Sequence, residues 1–131
     1  MIKRIALAFL VSFPVLIAQD PNEYAGVWEA KFHDTVFCVL RIETGKISGS
    51  VSVGSISLNE DGELIAAEGS ERDYPILNPK LYDDRLTFDW KDDSDDPAMK
   101  FEMKLTGGGK ADLRLVFAGY PNIKPWKLTR K

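Results

Sequence analysis

From Arg85 to Arg130 apolar and polar residues alternate with a period of two, and no other feature restricts the fold as much. Successive side chains of a strand point to opposite faces, so such alternation marks strands with one face buried. Leu86, Phe88 and Trp90 alternate with Thr87, Asp89 and Lys91. Met99, Phe101, Met103 and Leu105 alternate with Lys100, Glu102 and Lys104. Ala111, Leu113, Leu115 and Phe117 alternate with Asp112, Arg114 and Val116, and Trp126, Leu128 and Arg130 with Lys127, Thr129 and Lys131. Gly107-Gly108-Gly109 lies between two strands and precedes no helix, so it reads as a hairpin turn and not as a phosphate-cradling loop.

The first half carries the same period less cleanly. Trp28, Ala30 and Phe32 share one face of a first strand. Val36, Cys38, Leu40 and Ile42 share one face of a second, with Phe37 and Val39 on the other, which points to an outward apolar patch for a partner or another sheet. A turn at Thr44-Gly45 leads into Ile47 to Val53. Ser55 to Leu58 and Glu63 to Ala67 flank Asn59-Glu60-Asp61-Gly62, a strong turn signal. Pro75 and Pro79 bracket a short segment, and proline cannot donate to a ladder, so this strand is expected at an edge or bulged. Eight to ten short strands in sequence predict an all-β fold. An antiparallel up-and-down β-barrel is favoured because closure removes exposed edges, with a two-sheet β-sandwich as the alternative.

The N-terminus has a separate logic. Met1 to Arg4 is short and basic, Ile5 to Ala18 is an apolar run of 14 residues, and Gln19 to Glu23 turns polar. A membrane-spanning helix needs about 20 apolar residues, whereas a secretory signal peptide has this shorter three-part form. The expectation is a signal peptide at 1–18, a single barrel domain at 19–131, and a periplasmic or extracellular bacterial location. Losing Lys3 and Arg4 reduces the 17 cations to 15 against 20 acids, a formal charge of −5. That balance, with Lys and Arg scattered among acids, argues against nucleic acid or a membrane surface as partner. Cys38 is the only cysteine, so no internal disulfide forms, and its apolar neighbours make it a small core filler.

Gly26-Val27-Trp28 opens the first strand and Arg130 sits on the inward face of the last. This arrangement resembles the lipocalin and calycin superfamily, and more closely the small exported lipocalin-like domains of bacterial envelopes. The resemblance implies that Trp28 and Arg130 meet and close one barrel end. It covers most of residues 24–131 and implies barrel topology more than any particular ligand. An Arg guanidinium over an indole is in any case favourable by about 0.5–2 kcal/mol.

Residues that carry chemistry are few. His33, the one histidine, is followed by Asp34, but neighbours in a turn point apart and no Gly-x-Ser-x-Gly elbow accompanies them. Asp92, Ser94 and Asp96 place oxygens at alternate positions, as calcium loops do, yet Pro97 and Met103 stand where an EF-hand needs Gly and Glu. No Cys/His cluster suits a transition metal. The aromatics Phe32, Phe88, Trp90, Phe101 and Phe117 fall on inward faces and are the candidate ligand-binding wall. An eight-stranded barrel has room for packed side chains or for one small ligand. The leading expectation is therefore a cofactor-free protein binding a small apolar ligand in the barrel. The alternative is a structural or protein-interaction module with a filled barrel, and a hydrolase or isomerase using His33 or paired carboxylates stands third.

Overall fold

A computed structural model of the protein describes residues 20–43, 45, 47–70, 72–116 and 122–131. The expected signal segment at 1–18 and Phe117 lie outside the described residues. The chain folds as a meander: β1 (Gly26–Phe32), β2 (Thr35–Ile42), β3 (Gly49–Val53), β4 (Ile56–Leu58), β5 (Leu64–Ala67), β6 (Tyr74–Pro75), β7 (Leu77–Leu81), β8 (Leu86–Trp90), β9 (Met99–Gly107), β10 (Lys110–Val116) and β11 (Trp126–Arg130). A short 3-10 helix, Pro21–Tyr24, precedes them.

Nine strands form one antiparallel sheet in the order β6-β3-β2-β1-β11-β10-β9-β8-β7. Its two edges, β6 and β7, are consecutive in the chain and separated only by Ile76. The sheet therefore curls until its edges are joined by the backbone itself, giving a nearly closed up-and-down barrel. The proline-bracketed segment supplies that seam. Ile76 N–H donates to Gly49 O at 3.0 Å, while the ladder between β7 and β8 slips between Leu77 and Lys80. Pro79 and Asn78, the latter at φ +50°, roughen the edge and discourage pairing with another chain.

Register carries the inward residues around the ring. Leu86 faces Met103, Met103 faces Leu113, Leu113 faces Trp126, and Ala111 faces Leu128. Leu128 faces Ala30, Trp28 faces Leu40, and Leu40 faces Val51. All of these are buried. One expectation is corrected here. The ladder between β1 and β2 pairs Ala30 with Cys38 but Lys31 with Val36, so Phe37 is an extra residue in a β-bulge. The bulge turns Phe37 inward beside Cys38, and at 1 % exposure it belongs to the core and not to an outer patch.

Strands β4 and β5 pair only with each other and form a hairpin apart from the main sheet. Ile56, Leu58, Leu64 and Ala67 pack against the core from above, at the end where β1 stops and β11 starts. Two glycines make this docking feasible. A Cβ on Gly54 would lie 1.6 Å from Glu68 O, so the two legs of the hairpin meet backbone to backbone. At the tip, Gly62 has φ +79° and its Cβ would lie 2.0 Å from Asn122 O, while Lys124 N–H donates to Gly62 O at 2.9 Å. Among the described residues no helix is long and apolar enough to cross a membrane.

Gly62→Ala should lower the urea-unfolding free energy by about 1–3 kcal/mol, through both its positive φ and the clash with Asn122. Gly108→Ala, where a Cβ meets open space, should be closer to wild type despite its φ of +65°. Equal midpoints for Gly62→Ala and wild type would mean that the hairpin tip is not clasped to the chain before β11.

Candidate functional site

The end of the barrel opposite the hairpin is closed by the chain entering β1. Asp20 caps the 3-10 helix by accepting from Asn22 N–H at 2.9 Å, and the helix buries Tyr24. Trp28 Nε1 donates to Tyr24 O at 2.9 Å, so the fully buried indole has its one donor satisfied. The Arg130 guanidinium carbon lies 4.4 Å from the centre of the Trp28 ring, and its Nη2 donates to Glu23 O. The two side chains thus meet. Gly26, at φ +126°, leaves room for them, since a Cβ there would touch Arg130 Cδ at 3.4 Å. Beside this end is an open cleft of about 520 Å³ whose charged rim has both signs: Glu23, Asp83 and Asp84 against Lys104, Lys110 and Arg130.

The aromatic residues expected to line a ligand site divide into three groups. Phe88, Trp90 and Phe101 come together, at 0 %, 8 % and 1 % exposure. Phe88 stacks on Phe101 with centroids 5.4 Å apart, and Trp90 meets Phe101 at 6.5 Å. Phe32 sits apart at the end of β1, half-buried, with its ring 4.2 Å from that of His33. Phe117 is outside the described residues.

Three further rings complete the cluster. Trp126 is 5.8 Å from Phe101, and Phe37 is edge-on to Trp126 at 5.0 Å. Tyr74 adds a T-shaped contact to Trp90 at 6.0 Å. The bulge that brings in Phe37 breaks the alternation, so nothing in the periodicity marks it. Tyr74 precedes a proline in an irregular stretch, where no face can be read. The cluster has one polar peculiarity: Trp90 Nε1 and Trp126 Nε1 are both buried without a hydrogen-bond partner among the described residues.

The candidates for other chemistry sit elsewhere. His33 occupies an exposed turn at φ +55°. Burial pushes the Cys38 thiol up to about 12, leaving it protonated and inert at neutral pH. In the acidic turn, Asp92 accepts from the Ser94 N–H and hydroxyl, which hold its carboxyl below the usual range. Asp93 accepts from Arg72 at 2.8 Å. Among the described residues no three His, Cys, Asp or Glu side chains are placed to hold a metal.

No family model, no curated protein and no solved structure matches the chain. Function must therefore be argued from the geometry.

Burial also pushes the Tyr24 phenol up to about 12, with Glu23 and Asp84 adding to the effect. Both Tyr24 and Cys38 have raised native values, so the stability they support is whole below their ordinary values of 10.0 and 9.0. It is lost as pH rises toward about 12. Urea midpoints should be level up to about pH 9 and fall progressively above it. A midpoint unchanged at pH 11 would show that neither group is buried.

Proposed function

We propose that this protein is an exported, lipocalin-like barrel whose interior is a packed core and whose outer wall does the binding. The observation that carries the reading is the ring cluster around Phe101. Rings from β2, β8, β9 and β11 touch at centroid separations of 5.0–6.5 Å, in the volume a carried ligand would need. Leu40, Leu86, Met103, Leu113 and Leu128 fill the level below at no more than 1 % exposure. The meeting of Trp28 and Arg130 favours the lipocalin-like reading. The apolar run before Gln19 favours export. An exposed His33 lends nothing to a hydrolase.

A second reading, carriage of a small apolar ligand beneath the β4–β5 hairpin, is favoured by the two unpartnered indole donors. A buried donor without an acceptor costs about 1–3 kcal/mol, which a ligand oxygen entering between the rings would recover.

Phe101→Ala separates the two. A ring in a packed core loses about 3–5 kcal/mol of unfolding free energy on truncation, through lost burial and the cavity left behind. The packed-core reading expects that loss, together with no saturable tryptophan quenching of the wild type by a library of fatty acids, sterols and other apolar compounds. A loss below about 1 kcal/mol, or saturable quenching by a library member, would favour carriage.

A further inference from the structure

Folding sorts the charges. The strands β9, β10, β11 and β1 are neighbours in the barrel wall. Together with Lys131 their outward faces carry seven cations, namely Lys31, Lys100, Lys104, Lys110, Arg114, Lys127 and Lys131, while Arg130 turns in to Trp28. They carry three carboxylates, Glu29, Glu102 and Asp112, for a net charge of +4. The other described residues, the inward Arg130 among them, hold seven cations against 16 acids, a net −9. One wall of an acidic protein is therefore basic.

Height above the wall sharpens the contrast. Four ion pairs lie on or beside this face: Lys100–Asp89 at 3.2 Å, Arg114–Glu102 at 3.6 Å, Lys127–Asp112 at 2.8 Å and Lys131–Glu29 at 3.4 Å. In each the carboxylate is sunk, with 20–29 % of its side chain exposed, and the cation stands clear at 50–80 %. Lys31, Lys104 and Lys110 have no carboxylate within ion-pair distance among the described residues. A molecule approaching this wall meets ammonium and guanidinium groups first. Between β11 and β1 they surround a groove of about 330 Å³, lined by Lys31, Lys127, Arg130 and Lys131 with Glu29 and Thr129. Three ammonium groups, on Lys31, Lys127 and Lys131, repel one another across a single carboxylate, so their grouping works against stability and in favour of an anion, while the Arg130 guanidinium is turned to Trp28 and Glu23 O.

We propose that this wall, with the groove between β11 and β1 at its centre, binds a linear acidic polysaccharide. The proposal rests on the reading that the barrel acts through its exterior. The choice of partner follows from shape. The wall is the convex side of a barrel, and a planar bilayer would touch it only along a strip. Of the exposed large apolar side chains among the described residues, only Val116 stands on these strands, at the far end of β10, so there is little to insert into lipid. A flexible chain of carboxylates can follow the curve. Neighbouring strands set its contacts about 4.8 Å apart, and alternate residues along a strand about 7 Å apart.

Titration calorimetry of the purified protein with polygalacturonate tests this. Binding is expected at about 20 mM salt and should weaken steeply toward about 200 mM. The double variant Lys31→Glu/Lys127→Glu should bind at least ~10-fold more weakly, while Lys80→Glu/Lys91→Glu, with the same change in net charge outside the wall, should change less than ~2-fold. Circular dichroism and urea midpoints establish that both variants fold. Equal loss in the two variants, absence of binding at low salt, or capture by phosphatidylglycerol vesicles with no uptake of polymer would each overturn the proposal. So would inorganic phosphate binding as tightly as the polymer, which would make the groove a small-ion site. Failure on any of these counts leaves the packed interior standing. Quenching by an apolar ligand would instead strike the reading on which the proposal rests.

Discussion

Phe101 joins parts of the barrel that backbone pairing does not join. Its own ladder reaches only Phe88 on one side and Leu115 on the other. Its ring, however, touches Trp126 across the interior, and Trp126 in turn touches Phe37 from β2. Each fully buried large apolar side chain contributes about 1.5–3 kcal/mol, and well-oriented ring pairs add about 0.5–1.5 kcal/mol. A curled sheet has no reason to stay curled unless its inner face is satisfied, and these rings satisfy it. The seam between β6 and β7 is short and irregular, so closure depends on this cluster more than on hydrogen bonds across the edges.

The two ends are handled differently, and each follows from local chemistry. Below, a cation, an indole and a single turn of 3-10 helix close the barrel, with the Trp28 donor and the Arg130 fork both spent on backbone carbonyls. Above, the β4–β5 hairpin presents the apolar sides of Ile56, Leu58 and Leu64 to the core and is fastened at its tip by Gly62. The lower closure is polar and directional. The upper one rests on greasy contact and, at the hairpin tip, on the backbone bond from Lys124 N–H to Gly62 O. Between them lie two buried indole donors with no acceptor among the described residues.

Much of this was legible in the chain. The alternation from Arg85 onward names the inward residues of β8 to β11, because a half-buried antiparallel strand admits only one face to the core. Pro75 and Pro79 located the seam, since a missing N–H is tolerated best at an edge. The pairing of Trp28 with Arg130 followed from the resemblance to the lipocalin superfamily and not from periodicity. Phe37 could not be placed, because a bulge adds one residue and reverses the face of everything beyond it. The hairpin at 56–67 was visible as a hairpin, but its departure from the main sheet depends on the backbone contacts of Gly54 and Gly62. The charge sorting was also hidden. Lys and Arg look scattered among acids in sequence. Gathering four strands from both ends of the chain into one wall brings the cations together and leaves most acids on turns and loops.

Whether the interior is solid is the claim on which the rest turns, and xenon tests it most directly, because it enters dry apolar cavities that water avoids. Methyl and indole NMR spectra recorded under rising xenon pressure should show no saturating shifts at Leu40, Met103, Leu113, Trp90 or Trp126. Saturating shifts at those groups would reveal a hollow barrel and contradict the account.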